Sequence, residues 1–227
     1  MSLAEALSAV KSRIDLAAKQ AGRDPNDVEL IVVTKTHPAQ LVLDLLALGQ
    51  RNFGENKDQE ASAKALEVAS VNPTNQPIWH FVGQLQSNKV KSMLNYTSVL
   101  HSLDRESLLK ELAKQLANRP QTSLDVFIEL NLTDDPGRGG VQPKDLLSFA
   151  SKVLEVPQLN LLGVMGVAGL GANPSAEFER VAKASADLRS ISPKSGCISA
   201  GMSTDFEQAI AQGATHIRVG TAITGNR

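Results

Sequence analysis

Glu29-Leu30-Ile31-Val32-Val33-Thr34 runs straight into Lys35-Thr36-His37-Pro38. The first stretch is short, apolar and β-branched, the signature of a buried strand. Pro38 then opens a helical stretch with Leu41, Leu45 and Leu48 on one face, closed by Gly49. The same strand-then-helix unit recurs downstream. Strands are predicted at 51–53, 78–82, 97–102, 124–132, 161–167, 196–199 and 215–219. The segments between them read as a polar helix through Ala65, a helix with Leu108, Leu112 and Leu116 on one face, a helix entered through Asn173-Pro174, and a short helix capped by Ser203 and ended by Gly213. Upstream, Leu3, Leu7, Val10, Ile14 and Ala17 share one face of an amphipathic helix that Gly22 and Asp24-Pro25-Asn26 end. Strands alternating with helices pair in parallel. An open doubly wound sheet has the same alternation, but eight units in 227 residues with no sign of a second domain favour closure. The expected fold is therefore α/β, a single (β/α)8 TIM barrel over residues 1–227 with an additional N-terminal helix.

Composition narrows the partners. A net charge of −1 and the absence of a basic arm give no field toward nucleic acid or membrane surface. Aromatics at 4% leave no stacking platform for bases. Cys197 is the single cysteine, so no internal disulfide forms, and one unstapled thiol suits a reducing compartment. The first residues lack a basic segment followed by an apolar block, and no apolar run has bilayer-spanning length. These features predict a cytoplasmic protein. The four histidines lack metal-ligand spacing, so no metal site is expected. Gly166-Val167-Ala168-Gly169-Leu170-Gly171 does not fit a dinucleotide fingerprint, and no phosphate-binding P-loop or serine elbow occurs.

Barrel active sites lie at the C-terminal ends of the strands, so polar residues there are the candidates. Period-two alternation places Ile31, Val33 and Lys35 on one side of the first strand. Facing the axis, Lys35 would hold an amine at the mouth of an apolar cavity, where desolvation favours the neutral, nucleophilic form. By spacing alone the plainer reading is a strand-end lysine reaching into water. On the eighth strand His216, Arg218 and Gly220 share the face that points inward. An inward arginine needs an acceptor, either a bound anion or an internal carboxylate such as Glu129. Ser199-Ala200-Gly201-Met202-Ser203 and Gly220-Thr221 are small-residue loops of the kind that bind phosphate after strands seven and eight, although capping alone accounts for Ser203. Asn56, His80 and Asn131 also lie near strand ends, and His80, inside an apolar run, reads first as a core histidine.

Taken together, Val33-Thr34-Lys35-Thr36, Phe53-Gly54-Glu55-Asn56, the stretch Trp79-His80-Phe81-Val82-Gly83-Gln84-Leu85-Gln86-Ser87-Asn88-Lys89, His101-Ser102-Leu103-Asp104-Arg105, Ser199-Ala200-Gly201-Met202-Ser203 and Arg218-Val219-Gly220-Thr221-Ala222-Ile223 resemble the pyridoxal phosphate homeostasis protein family. That family is similar to the barrel domain of alanine racemase. The segments occur in the family's order and span nearly the whole chain. The resemblance implies pyridoxal 5'-phosphate (PLP) as cofactor, with Lys35 matching the lysine that forms the internal aldimine. It implies that Arg218 faces the pyridine nitrogen and that Ser199, Gly201, Gly220 and Thr221 fall in the segments holding the phosphate. Asn56 and Met202 match residues flanking the ring, with His80 close by. The chain departs from the family pattern at His37, where a second lysine is common, at Ala200, where methionine is frequent, and at Arg138-Gly139, where Lys-Gly is usual.

An arginine opposite the ring nitrogen cannot accept its proton and so weakens PLP as an electron sink. Racemases of this fold add a base from a second domain, for which no residues are expected to be left beyond Arg227, just after the eighth strand, and the lone tyrosine, Tyr96, falls at the start of the fourth predicted strand. The expected function is a PLP-binding homeostasis protein, not an enzyme and without catalytic residues, that buffers PLP or delivers it to apo PLP-enzymes, acting as a monomer. The alternatives are an amino-acid racemase with a minimal site and a Schiff-base aldolase that uses Lys35 on a phosphorylated sugar.

Overall fold

The computed structural model describes residues 1–133, 138–169 and 171–225. Eight parallel strands close into a barrel in sequence order. They are β1 (Glu29–Val33), β2 (Asn52–Glu55), β3 (Ile78–Phe81), β4 (Val99–Leu103), β5 (Leu124–Glu129), β6 (Leu159–Met165), β7 (Cys197–Ser199) and β8 (His216–Val219). Closure is made by β1 against β8, with Glu29 opposite His216 and Ile31 opposite Arg218. The helices are α1 (Leu3–Gln20), α2 (Ala39–Ala47), α3 (Asp58–Val71), α4 (Val90–Met93), α5 (Glu106–Ala117), α6 (Leu146–Leu154), α7 (Pro174–Arg189), α8 (Phe206–Ala211) and α9 (Thr221–Thr224).

Alternation along each strand divides the interior. Leu30, Val32, Phe53, Trp79, Phe81, Ile217 and Val219 point outward and form the main core with the helices. Burying each such side chain contributes about 1.5–3 kcal/mol. The opposite parity faces the axis. Val99, Phe127 and Met165 of β4 to β6 make a separate apolar cluster there; Ile31, buried opposite Arg218, is apolar too, and polar residues such as His80, His101, Ser199 and Arg218 share the interior. Gly163 allows β6 and β7 to meet, since a Cβ at that residue would fall 1.8 Å from the Cys197 carbonyl oxygen.

The expected (β/α)8 barrel with its N-terminal helix is what the chain forms, but three local readings change. β2 runs on through Gly54 and Glu55, because Phe53 and Glu55 both turn into the layer beneath the helices. The buried face of α2 is Ala39, Val42, Leu45 and Leu46, and Leu48 is an exposed C-cap, 40% accessible. Ser203 does not cap α8; the cap position is Asp205, whose carboxylate accepts from the Met202 N–H at 2.6 Å.

α1 begins with a capping box between Ser2 and Glu5 and lies against α8 and α9. Arg13 pairs with Glu207 and stacks 4.5 Å over the Phe206 ring, while Arg23 donates to the Ile210 and Ala214 carbonyls at 2.9 and 2.8 Å. The extra helix thus supports the loops that follow β7 and β8.

Candidate functional site

β1 ends at Val33; the Thr34 hydroxyl bonds to Glu55 in the layer beneath the helices, and Lys35 follows in the turn beyond the strand. Lys35 is exposed. The amine therefore stands at the rim of the barrel in contact with solvent, and the expected desolvated cavity is not what surrounds it. Thr36 takes φ +66°, the single non-glycine residue with positive φ among the described residues. A β-branched residue is strained in that region.

A buried ion pair lies under this turn. The Lys64 ammonium donates to the Glu55 carboxylate at 2.6 Å, to the Thr34 carbonyl at 2.8 Å and to Glu60 at 3.2 Å. Thr34 also donates its hydroxyl to Glu55 at 2.7 Å. Neither Glu55 nor Lys64 was apparent as a site residue in the sequence. The available signal is that Ala61, Lys64, Ala65 and Val68 form one buried helical face, interrupted by a lysine.

Arg218 points into the barrel, buried, as its parity predicts. It donates to the Ser199 hydroxyl at 2.5 Å and the Gly166 carbonyl at 3.1 Å. Neither acceptor is a carboxylate; Glu129 and Asp205 act on it only through space. Burial lowers Arg218 to about 10, so it remains charged at neutral pH. Because guanidinium can only donate, the Ser199 oxygen accepts and its hydrogen goes to His101 Nδ1, 2.8 Å away. His101 Nε2–H then donates to His80 Nδ1 at 2.9 Å, and His80 Nε2–H donates to Asn52 Oδ1 at 2.9 Å. Asn52 completes the run by donating to Glu29, which lies 3.4 Å from His216. This directional chain needs both imidazoles neutral. Burial agrees, holding His101 well below the ordinary histidine range and His80 at about 3. The chain places Ser199 and His80 inside the barrel behind Arg218. Both nitrogens of His80 are engaged there, so it reaches the mouth only through His101 and Ser199.

The mouth itself carries donors and an unmatched acceptor. The N–H groups of Gly220 and Ala222, at the start of α9, converge on the Ser203 hydroxyl at 3.2 and 3.5 Å. Thr221 is exposed beside them. Gly201 has φ +93°, and a Cβ there would sit 2.7 Å from that of Ala209, so only glycine fits this bend. Its carbonyl accepts from the Arg218 N–H at 2.9 Å, tying the two loops together. Met202 is half-exposed at the rim. Asn56 has a buried side-chain oxygen without a hydrogen-bond partner, and so does Glu129. Burial, then Asp104, raise Glu129 to about 7 against the pull of Arg218, Arg138 and Arg105. Asn131 serves the backbone, donating to the Arg138 carbonyl at 2.8 Å and accepting from the Thr133 N–H at 2.9 Å. Tyr96 lies off the site, donating to Asp58 at 3.2 Å. Among the described residues no group of histidine, cysteine and acidic side chains could hold a metal ion, and no helix is long and apolar enough to cross a membrane.

Residues 6–227 match the family model described as alanine racemase, N-terminal domain. A relative in Pseudomonas aeruginosa, named pyridoxal phosphate homeostasis protein, is 38% identical over 99% of this chain and 96% of its own. One of the same name in Escherichia coli K12 is 36% identical over 99% of this chain and 97% of its own. Among solved structures, PipY of Synechococcus elongatus with PLP bound superposes with a TM-score of 0.85 at 33% identity, covering 99% of this chain and all of that one. Alanine racemase from Corynebacterium glutamicum, 16% identical, superposes with a TM-score of 0.64 over 97% of this chain and 61% of its own, a likeness of fold.

Proposed function

The chain belongs to the pyridoxal phosphate homeostasis proteins of the alanine racemase N-terminal domain family, and we propose that it binds PLP at the barrel mouth through Lys35 and buffers it or delivers it to apo PLP-enzymes without robust catalysis. The observation that carries this reading is the grouping of three features at one end of the barrel. These are an exposed amine, a pair of main-chain N–H groups converging on one oxygen, and a buried arginine with no carboxylate bonded to it.

These residues fit PLP. The N–H groups of Gly220 and Ala222, with the Thr221 and Ser203 hydroxyls and the Gly201 bend, suit a phosphate. The unpartnered Asn56 oxygen and the Met202 side chain are available to flank a ring. When bound, PLP supplies an aldehyde that an amine takes up with loss of water, and, given a protonated ring nitrogen, an electron sink. Lys35 provides the amine, and its solvent contact suits release as well as capture. Arg218 has no lone pair to share and stays charged, so a ring nitrogen set against it remains unprotonated. Ser199 and the two imidazoles hold Arg218 in that role. This opposes turnover and favours a carrier, read here as a cytoplasmic monomer.

The test is spectroscopic. Protein incubated with PLP should be yellow, lose its visible band on borohydride reduction, and retain the pyridoxyl group on Lys35. Loaded protein should pass PLP to an apo-enzyme. Protein that takes up no PLP contradicts the reading, and rapid racemisation of an amino acid, abolished in Lys35→Ala, would replace the carrier with an enzyme.

A further inference from the structure

The strained turn and the ion pair beneath it form one device. Lys35 has Thr34 on one side and Thr36 on the other, and both neighbours are held by α3. Thr36 donates its N–H to the Glu60 carboxylate. Thr34 is gripped through its carbonyl by Lys64 at 2.8 Å and through its hydroxyl by Glu55 at 2.7 Å. The three hydrogens of the Lys64 ammonium are matched by three acceptors, Thr34, Glu55 and Glu60, two of them carboxylates. Lys64 and Glu55 are 5% and 1% accessible, so this clamp is set in the rigid layer between strand and helix. Within the turn the His37 N–H donates to the Thr34 carbonyl at 3.1 Å, closing a four-residue turn whose third residue, Thr36, takes positive φ. A β-branched residue is disfavoured at that place, and Glu60 and Lys64 add side-chain restraints from α3.

We infer that Glu60 and Lys64 are positioning residues for Lys35: they hold Thr36 at positive φ and thereby keep the Lys35 amine presented at the barrel mouth. The inference rests on the reading of Lys35 as the amine that takes up PLP. It also accounts for two lysines near one site with separate duties. Lys64 spends all its hydrogens inside the clamp, and Lys35 keeps its own for solvent and ligand.

Rapid mixing of apo-protein with PLP follows the visible band that develops as the Lys35 nitrogen bonds to the aldehyde carbon and the carbonyl oxygen leaves as water. Glu60→Ala should slow the band about tenfold, the factor by which loss of such a restraint lowers the share of presented amine. Glu60→Gln should slow it less, because its amide oxygen still accepts from Thr36. Adding Thr36→Gly to Glu60→Ala should recover most of the rate, since glycine takes positive φ unaided. Glu60 is partly exposed, its side chain 29% accessible, so melting temperatures of its apo variants should stay close to that of the parent. An unchanged rate in Glu60→Ala, with the reduced adduct still mapped to Lys35, overturns the clamp and leaves the Lys35 reading intact. A slowed rate that Thr36→Gly does not recover also overturns the clamp. Absence of a Lys35 adduct in the parent overturns the underlying reading, before any variant is made.

Discussion

His101 shows how one side chain can be fixed by chemistry that no single residue reveals. It stacks on Phe127 with ring centroids 4.7 Å apart, and both its nitrogens are committed, one to Ser199 and one to His80. His80, His101 and His216 all have their protonation disfavoured, chiefly by burial, with His80 at about 3 and His216 at about 4 against an ordinary 6.5. Between 6.5 and those lowered values the unfolded chain holds more protons than the folded one, so these groups cost stability as pH falls through that window. Glu129 acts in the opposite sense. Its folded value is about 7 against 4.5, so the folded protein holds the extra proton there, and that contribution is lost as pH rises through 7. Glu129→Gln should therefore steepen the fall in melting temperature between pH 7 and pH 4. Calorimetry on parent and variant across that range checks it, and an equal or shallower slope in the variant contradicts the assignment. The inward position of Arg218 was legible from alternation along its strand, whereas spacing alone left Lys35 a strand-end lysine reaching into water, and only the resemblance of its segment singled it out. The histidine chain was not, because its members come from separate strands and carry no spacing of their own.

At the scale of elements, α3 is fastened to β1 and β2 through charge. Glu55 is raised above the ordinary carboxylate range, first by burial and against the pull of Lys64. Removing one partner of a buried pair strands the other, so Lys64→Ala should destabilise the fold by about 3–5 kcal/mol. Replacing both, as Glu55→Leu with Lys64→Met, should cost less than Lys64→Ala alone, because no unpaired charge is left behind. Urea midpoints of the apo-proteins decide between these outcomes. The element boundaries show the limits of local pattern. α2 buries Val42 and Leu46, where the leucine spacing suggested Leu41 and Leu48, since three leucine positions fit more than one helical face. Ser203 sits where a helix cap belongs by local chemistry, yet its hydroxyl serves Gly220 and Ala222 across the mouth.

For the whole molecule, the barrel puts the groups of the proposed site at one end and its N-terminal helix against α8 and α9, which follow the loops after β7 and β8. A ligand that binds only this assembled form stabilises it by mass action, by about 2.7 kcal/mol at a concentration 100 times Kd. The melting temperature should accordingly rise with PLP concentration and return to the apo value after treatment with hydroxylamine and dialysis. A melting temperature indifferent to PLP would contradict binding at the mouth. The order of strands and helices, the closed barrel, the inward parity of Arg218 and the glycine-bearing loops could all be read from the chain by itself. Closure followed from eight strand–helix units in 227 residues, and the others are properties of a segment, set by neighbours two or four positions away. The directional chain from Arg218 to Glu29, the clamp on Thr36 and the reach of Ser203 to the start of α9 were decided only by the tertiary structure. They depend on how far each strand is staggered against the next as the barrel closes, and that offset is settled by packing between distant segments, for which no local pattern exists.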